Sequence, residues 1–174
     1  MHVVMPGGLA WALIQARKQT LFLAADIPAS AACGQTVPGE QHPCWILGHL
    51  LLADTYLLHM LGVEELSTDF NALLASYGPG AVPGPERERY DTIGALLSRL
   101  REIGEERLVA VSRMTPEELL RPLPDPVLVQ VQPTIAHHIS TMIYHEGYHG
   151  GQLAAWRRNH QLTPVSWTFA PLSA

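Results

Sequence analysis

The chain has 174 residues, of which 47% are hydrophobic and 16% charged, and it carries 11 Lys and Arg against 16 Asp and Glu. That size suits a single domain over residues 1–174, with a C-terminal tail at 164–174, and the net charge of −5 argues against a nucleic-acid partner, which needs a basic face. The charged fraction falls short of the usual value of about 25%, so part of the surface is expected to be covered by a second copy in a homodimer.

The 14 prolines leave four long gaps, at residues 7–27, 44–78, 86–115 and 134–163. Proline is excluded from helix interiors, so four such gaps predict the four helices of an all-α bundle with long crossover connections. In the first gap, a polar cluster of Gln15, Arg17, Lys18 and Gln19 leaves Leu9, Leu13, Ala16, Thr20 and Leu23 on the opposite, packed face. The second begins at Pro43, ends at Gly62 and is apolar nearly all round, which predicts a buried helix. A short helix is expected within residues 67–78, followed by the Gly/Pro-rich loop up to Pro85.

The third helix is predicted from about Glu86 to Met114, packed through Tyr90, Ile93, Leu97, Leu100, Ile103, Ala110 and Met114, with Arg and Glu on a wet face. Thr115-Pro116-Glu117-Glu118 reads as a capping box that opens a helix of one or two turns, and prolines 122, 124 and 126 stop it. Residues 121–133 then cross over to the fourth helix, and they and residues 62–85 are expected to shape any pocket. Trp11, Trp45, Trp156 and Trp167 are expected as core or interface aromatics, and the tail carrying Trp167 is expected to pack on the bundle or a partner. Cys33 and Cys44 have neither disulfide-framework nor zinc-knuckle spacing, which fits a reduced, cytoplasmic protein, and no apolar run is long enough to span a membrane.

The fourth gap carries the chemistry. His145 and His149 are four apart, so on a helix both imidazoles reach one cation from the same face. His138 lies two turns away, too far to join them, so a third ligand must come from a facing helix. The segment also matches His-Glu-x-x-His, the zinc-peptidase pattern with Glu146 as base. However, no Asp or Glu follows Glu146, and position 155, where the extended motif wants His, is Ala155. Glu146 is instead expected to be a solvated or interhelical charge, with a supporting role at the site as the alternative. Gln152 and Tyr148 lie near the ligand face, where packing or an interhelical hydrogen bond is favoured over catalysis. Among His2, His42, His49, His59, His137 and His138, His49 stands out. It lies in the middle of the most apolar helix, where an imidazole without a partner is costly. Asp54, about 140° round that helix from His49, is not assigned to the site.

Trp-x-x-x-His in the second helix (Trp45, His49) and His-x-x-x-His-x-Gly-Gln in the fourth (His145, His149, Gly151, Gln152) resemble the DinB/YfiT superfamily of bacterial metalloenzymes. Gly150, where that family often has Arg or a polar residue, is a departure at the pocket rim. The resemblance implies a four-helix bundle, often dimeric, with a divalent metal such as zinc or nickel on His49, His145 and His149. It also implies a small-molecule substrate, and thiol-dependent S-transfer or isomerisation with a low-molecular-weight thiol. Three neutral imidazoles leave a divalent cation its full charge and an open position, which suits activation of a thiol or of water. The alternatives are a stress-related metal-binding protein without turnover and a metal-dependent hydrolase. A purely structural site would be closed by a further ligand such as Cys44 or Glu146.

Overall fold

The computed structural model describes residues 6–63, 65–66 and 68–165. Its helices are α1 (Pro6–Ala24), α2 (Pro43–Met60), α3 (Thr68–Tyr77), α4 (Ile93–Ser112), α5 (Pro116–Leu119) and α6 (Ile135–Asn159), with 3-10 turns at Arg87–Arg89 and Leu128–Gln130 and no strand among the described residues. Helices α1, α2, α4 and α6 form the bundle, one from each proline gap. Both α2 and α1 pack on α4 and on α6, so the cyclic order is α1, α4, α2, α6, and α3 lies against α2. Arg17 meets Glu146 and Arg157 meets the carbonyl of Leu23, so α1 and α6 run parallel. Adjacent parallel helices require long crossovers, as the sequence anticipates.

The ends of α2 follow from its sequence. The Nδ1 of His42 accepts from the Trp45 amide at 3.3 Å, and Pro43 occupies the first turn, where no amide hydrogen is needed. At the other end Gly62, at φ +74, lets its own amide bond to His59 and the Val63 amide to Leu58, a Schellman closure. The capping box at Thr115 and Glu118 also forms as expected. By contrast, α4 starts at Ile93, seven residues later than the proline gap suggests. The Thr92 hydroxyl caps it through the Ala95 amide, and the segment before it is held by side chains: the Tyr90 hydroxyl accepts from the Gly84 amide and the Tyr77 hydroxyl from the Asp91 amide.

The core divides into two apolar clusters. One contains Leu23, Trp45, Leu50, Leu96, Leu100, Leu153 and Trp156, and the other Ala10, Leu13, Leu57, Val111, Leu119, Ile135 and Ile139. Where they meet, the interior is charged. Arg17, Asp54, Arg107 and Glu146, one from each bundle helix, are 5%, 2%, 2% and 1% exposed. This corrects the expectation for Arg17, placed on the wet face of the first helix, and for Arg107 of the third, while Arg101 is exposed as expected. Trp45 and Trp156 are core residues, whereas Trp11 is 54% exposed. Trp167 and the tail from residue 166 lie outside the described residues, and the described helices include none long and apolar enough to cross a membrane.

Candidate metal centre

Helix α2 brings His49, and helix α6 brings His145 and His149, to one point inside the bundle. The Nε2 of His145 is 3.0 Å from the Nε2 of His49 and 3.0 Å from the Nε2 of His149. One ligand atom from each of the three lies within 4.8 Å of the other two. The spacing of four on α6 puts its two histidines side by side, and the histidine that meets them from the facing helix is the half-buried His49.

The far side of two of these rings is already committed. His49 donates from Nδ1 to the carbonyl of Tyr77 at 2.7 Å, and His149 donates from Nδ1 to Oε1 of Gln152 at 2.5 Å. Both Nε2 atoms therefore carry lone pairs, and the trio shares at most one proton, on His145. Burial, then the neighbouring His49, holds His145 down at about 4, while burial, His145 and His49 hold His149 at about 3. Burial lowers His49 as well. At neutral pH the three rings are uncharged, and their nitrogens form a group that could hold a divalent cation. Nitrogens about 2.0–2.1 Å from a tetrahedral zinc stand about 3.3 Å apart, so the donor set fits such an ion with a small adjustment.

The support of the site comes from neighbours at short range. Trp45 stacks on His49, with ring centroids 4.9 Å apart and planes 8° from parallel. Gly48 lets the end of α3 approach: a Cβ there would lie 2.2 Å from Cε1 of Tyr77, the residue whose carbonyl orients His49. Gln152 in turn donates to the Tyr148 hydroxyl at 3.3 Å, so both residues serve the site through hydrogen bonds. A cavity of about 580 Å³ is lined by Tyr77 together with residues that include Asp69, Arg89, Tyr90, Asp91 and Arg99. Its walls come from α3, the segment before α4 and Arg99 of α4, not from the crossover at 121–133.

Of the other candidate histidines, His2 lies outside the described residues, His59 lies beside the ring of Tyr56, and the rest are engaged elsewhere. His42 caps α2 and donates from Nε2 to the Gly84 carbonyl at 3.0 Å, His137 pairs with Thr134, and His138 with Gln132. Glu146 faces away from the cluster: Oε1 accepts from Arg17 at 2.5 Å and Oε2 from Arg107 at 3.1 Å. Its carboxylate is an interhelical charge, as expected, and its commitment to two arginines leaves it unable to serve as a peptidase base. Asp54 holds the other side of the same arginines. The sequence reading missed this network, although the packed stripe of the third helix has a hole between Ile103 and Ala110 that Arg107 fills. Cys44, the other potential closing ligand, is buried beside Cys33, and burial and that neighbour push its thiol up to about 12.

No curated protein matches the chain. The family model of the DinB superfamily matches residues 12–153, a span that runs from within α1 to within α6 and includes the three clustered histidines. The chain belongs to the DinB superfamily.

Proposed function

We propose that this protein holds a divalent metal, zinc or nickel, on His49, His145 and His149 and is an enzyme that activates a low-molecular-weight thiol for transfer to a small electrophilic substrate. The convergence of three neutral Nε2 atoms, with the Nδ1 sides of His49 and His149 tied to Tyr77 and Gln152, carries the reading. A divalent cation held by neutral ligands supplies Lewis acidity that lowers the pKa of a thiol or water taking its remaining position. The chain supplies the rest. Tyr77 and Gln152 fix which nitrogen of each ring faces the centre, Trp45 restrains the plane of His49, and Glu146 and Cys44 are both engaged elsewhere, which favours an open centre over a structural one.

Two measurements test the proposal. Elemental analysis of purified protein should find about one divalent metal per chain, lost in His149→Ala and in His49→Ala; full retention in either variant would place the metal elsewhere. The metal-loaded protein should then form thiol adducts with monochlorobimane above background. Absence of adduct with every thiol tried, alongside stoichiometric metal, would leave a hydrolase or a metal-binding protein without turnover. The reading includes a homodimer, supported by the low charged fraction and by Trp11 and Phe22, 54% and 53% exposed on one face of α1. A light-scattering mass near 19.1 kDa would remove it.

A further inference from the structure

The four buried charges form a closed cycle. Arg17 gives Nε to Glu146 at 2.5 Å and Nη2 to Asp54 at 2.7 Å; Arg107 gives Nη1 to Asp54 at 2.5 Å and Nη2 to Glu146 at 3.1 Å. Each carboxylate bridges both arginines, and each arginine bridges both carboxylates. Two of the four contacts join neighbouring helices, α1 with α6 and α4 with α2. The other two cross the bundle diagonally, α1 to α2 and α4 to α6. The arginines also reach backbone on the adjoining helix: Arg17 donates to the Leu100 carbonyl at 2.7 Å and Arg107 to that of Leu13 at 3.3 Å.

Stability does not account for such a ring. Taking four charges out of water is costly, and well-packed apolar residues in their place are often as stable or more so. What a closed cycle does provide is a single permitted alignment. Sliding any one helix by a residue moves its side chain about 1.5 Å along the axis and 100° around it, which breaks two contacts and strands buried charges. A three-nitrogen centre, where ligand distances must hold to about 0.2 Å, needs alignment that strict. The two carboxylates sit on the two helices that carry the ligands. Glu146 follows His145 directly and precedes His149 by three residues, while Asp54 is five residues beyond His49, about 7.5 Å along the helix.

We propose that the Arg17–Asp54–Arg107–Glu146 ring is the register lock of the three-histidine centre, with Asp54 and Glu146 as positioning residues that hold α2 and α6 in the alignment that brings the three Nε2 atoms together. This rests on the metal reading above and adds to it a function for four residues that touch no ligand.

Cobalt(II) is the probe, because its visible absorption reports coordination geometry and its titration reports affinity. Three variants are compared with the wild type. The first replaces the whole ring with apolar residues (Arg17→Met, Asp54→Leu, Arg107→Met, Glu146→Leu); the others are Glu146→Gln and Arg107→Gln, the last on a helix that bears no ligand. In the apolar-ring variant, the metal-free thermal midpoint should match or exceed that of the wild type, while cobalt affinity falls at least tenfold and the visible band shifts. The two single variants should show the same loss and shift with helical circular dichroism retained. Affinity within threefold of wild type and an unchanged band in any variant that folds would overturn the lock and leave the ring a feature of the fold alone. If wild-type protein itself takes up no stoichiometric cobalt, the metal reading fails; if it does and the variants match it, only the lock fails.

Discussion

The two polar sites inside this bundle share α2 and α6, where Asp54 lies five residues beyond His49 and Glu146 lies between His145 and His149, and they differ in their accounting of hydrogen bonds. In the charge ring every carboxylate oxygen meets a guanidinium nitrogen, and of the guanidinium nitrogens only Nε of Arg107 is without a partner. In the histidine cluster three ring nitrogens face one another with at most one proton among them. A buried polar network that closes on itself specifies how a chain packs, while one left short of a partner specifies what it binds. The distinction predicts opposite responses to mutation in metal-free protein. Asp54→Asn should cost about 3–5 kcal/mol in urea unfolding, because both arginines remain buried with half their anions. His145→Ala, which relieves the unmatched nitrogens of a half-buried residue, should cost no more than about 1 kcal/mol. Equal losses would mean that the ring and the cluster are not distinct in kind.

The contrast sharpens at the residues that support the histidines. Gly48→Ala forces a methyl group into the ring of Tyr77, and accommodating it should cost about 1–3 kcal/mol of stability. Because Tyr77 also holds His49, metal affinity should fall in the same variant; loss of stability with unchanged affinity would show that α3 packs on α2 without orienting the ligand. Gln152→Ala should do the reverse. Gln152 is only half-buried, so unfolding should change little, while removal of the acceptor on His149 should weaken metal binding about 10- to 100-fold, read by competition with a chelating indicator.

How much of this was legible in the sequence depends on the kind of signal each residue leaves. Prolines mark where helices cannot run, so they locate four helices but overrun the start of α4, where the hydroxyls of Tyr90 and Tyr77 bind the amides of Gly84 and Asp91 and hold the chain out of the helix. The histidines were legible because spacing along one helix fixes relative direction, and because an imidazole in an apolar helix is conspicuous. The ring was not, because a hydropathy pattern assigns every arginine to water. Arg17 was grouped with Gln15, Lys18 and Gln19 although it falls on the stripe of Leu13 and Thr20, and only its pairing with carboxylates from two other helices makes that position tolerable. The α3 carbonyl that orients His49 has no sequence signature at all; Gly48, the absence of a side chain beside a ligand, is its nearest trace.

The smallest expected effect concerns a histidine outside both sites. His42 is fully buried, capping α2 with one nitrogen and reaching the Gly84 carbonyl with the other. Burial lowers its pKa below the ordinary 6.5, and His138 is lowered for the same reason. The unfolded chain therefore takes up these protons first as pH falls, so their contribution to stability is complete above about pH 6.5 and is lost progressively below it, toward the depressed folded-state values. In His42→Asn the side chain still accepts from a first-turn amide, since Asn is among the preferred capping residues, but it no longer titrates. Metal-free protein carrying this change should keep most of its stability at pH 7.5 and lose less than the wild type between pH 7 and pH 5. Parallel curves for the two proteins would assign the acid sensitivity to other groups, with His138→Gln as the next variant to compare.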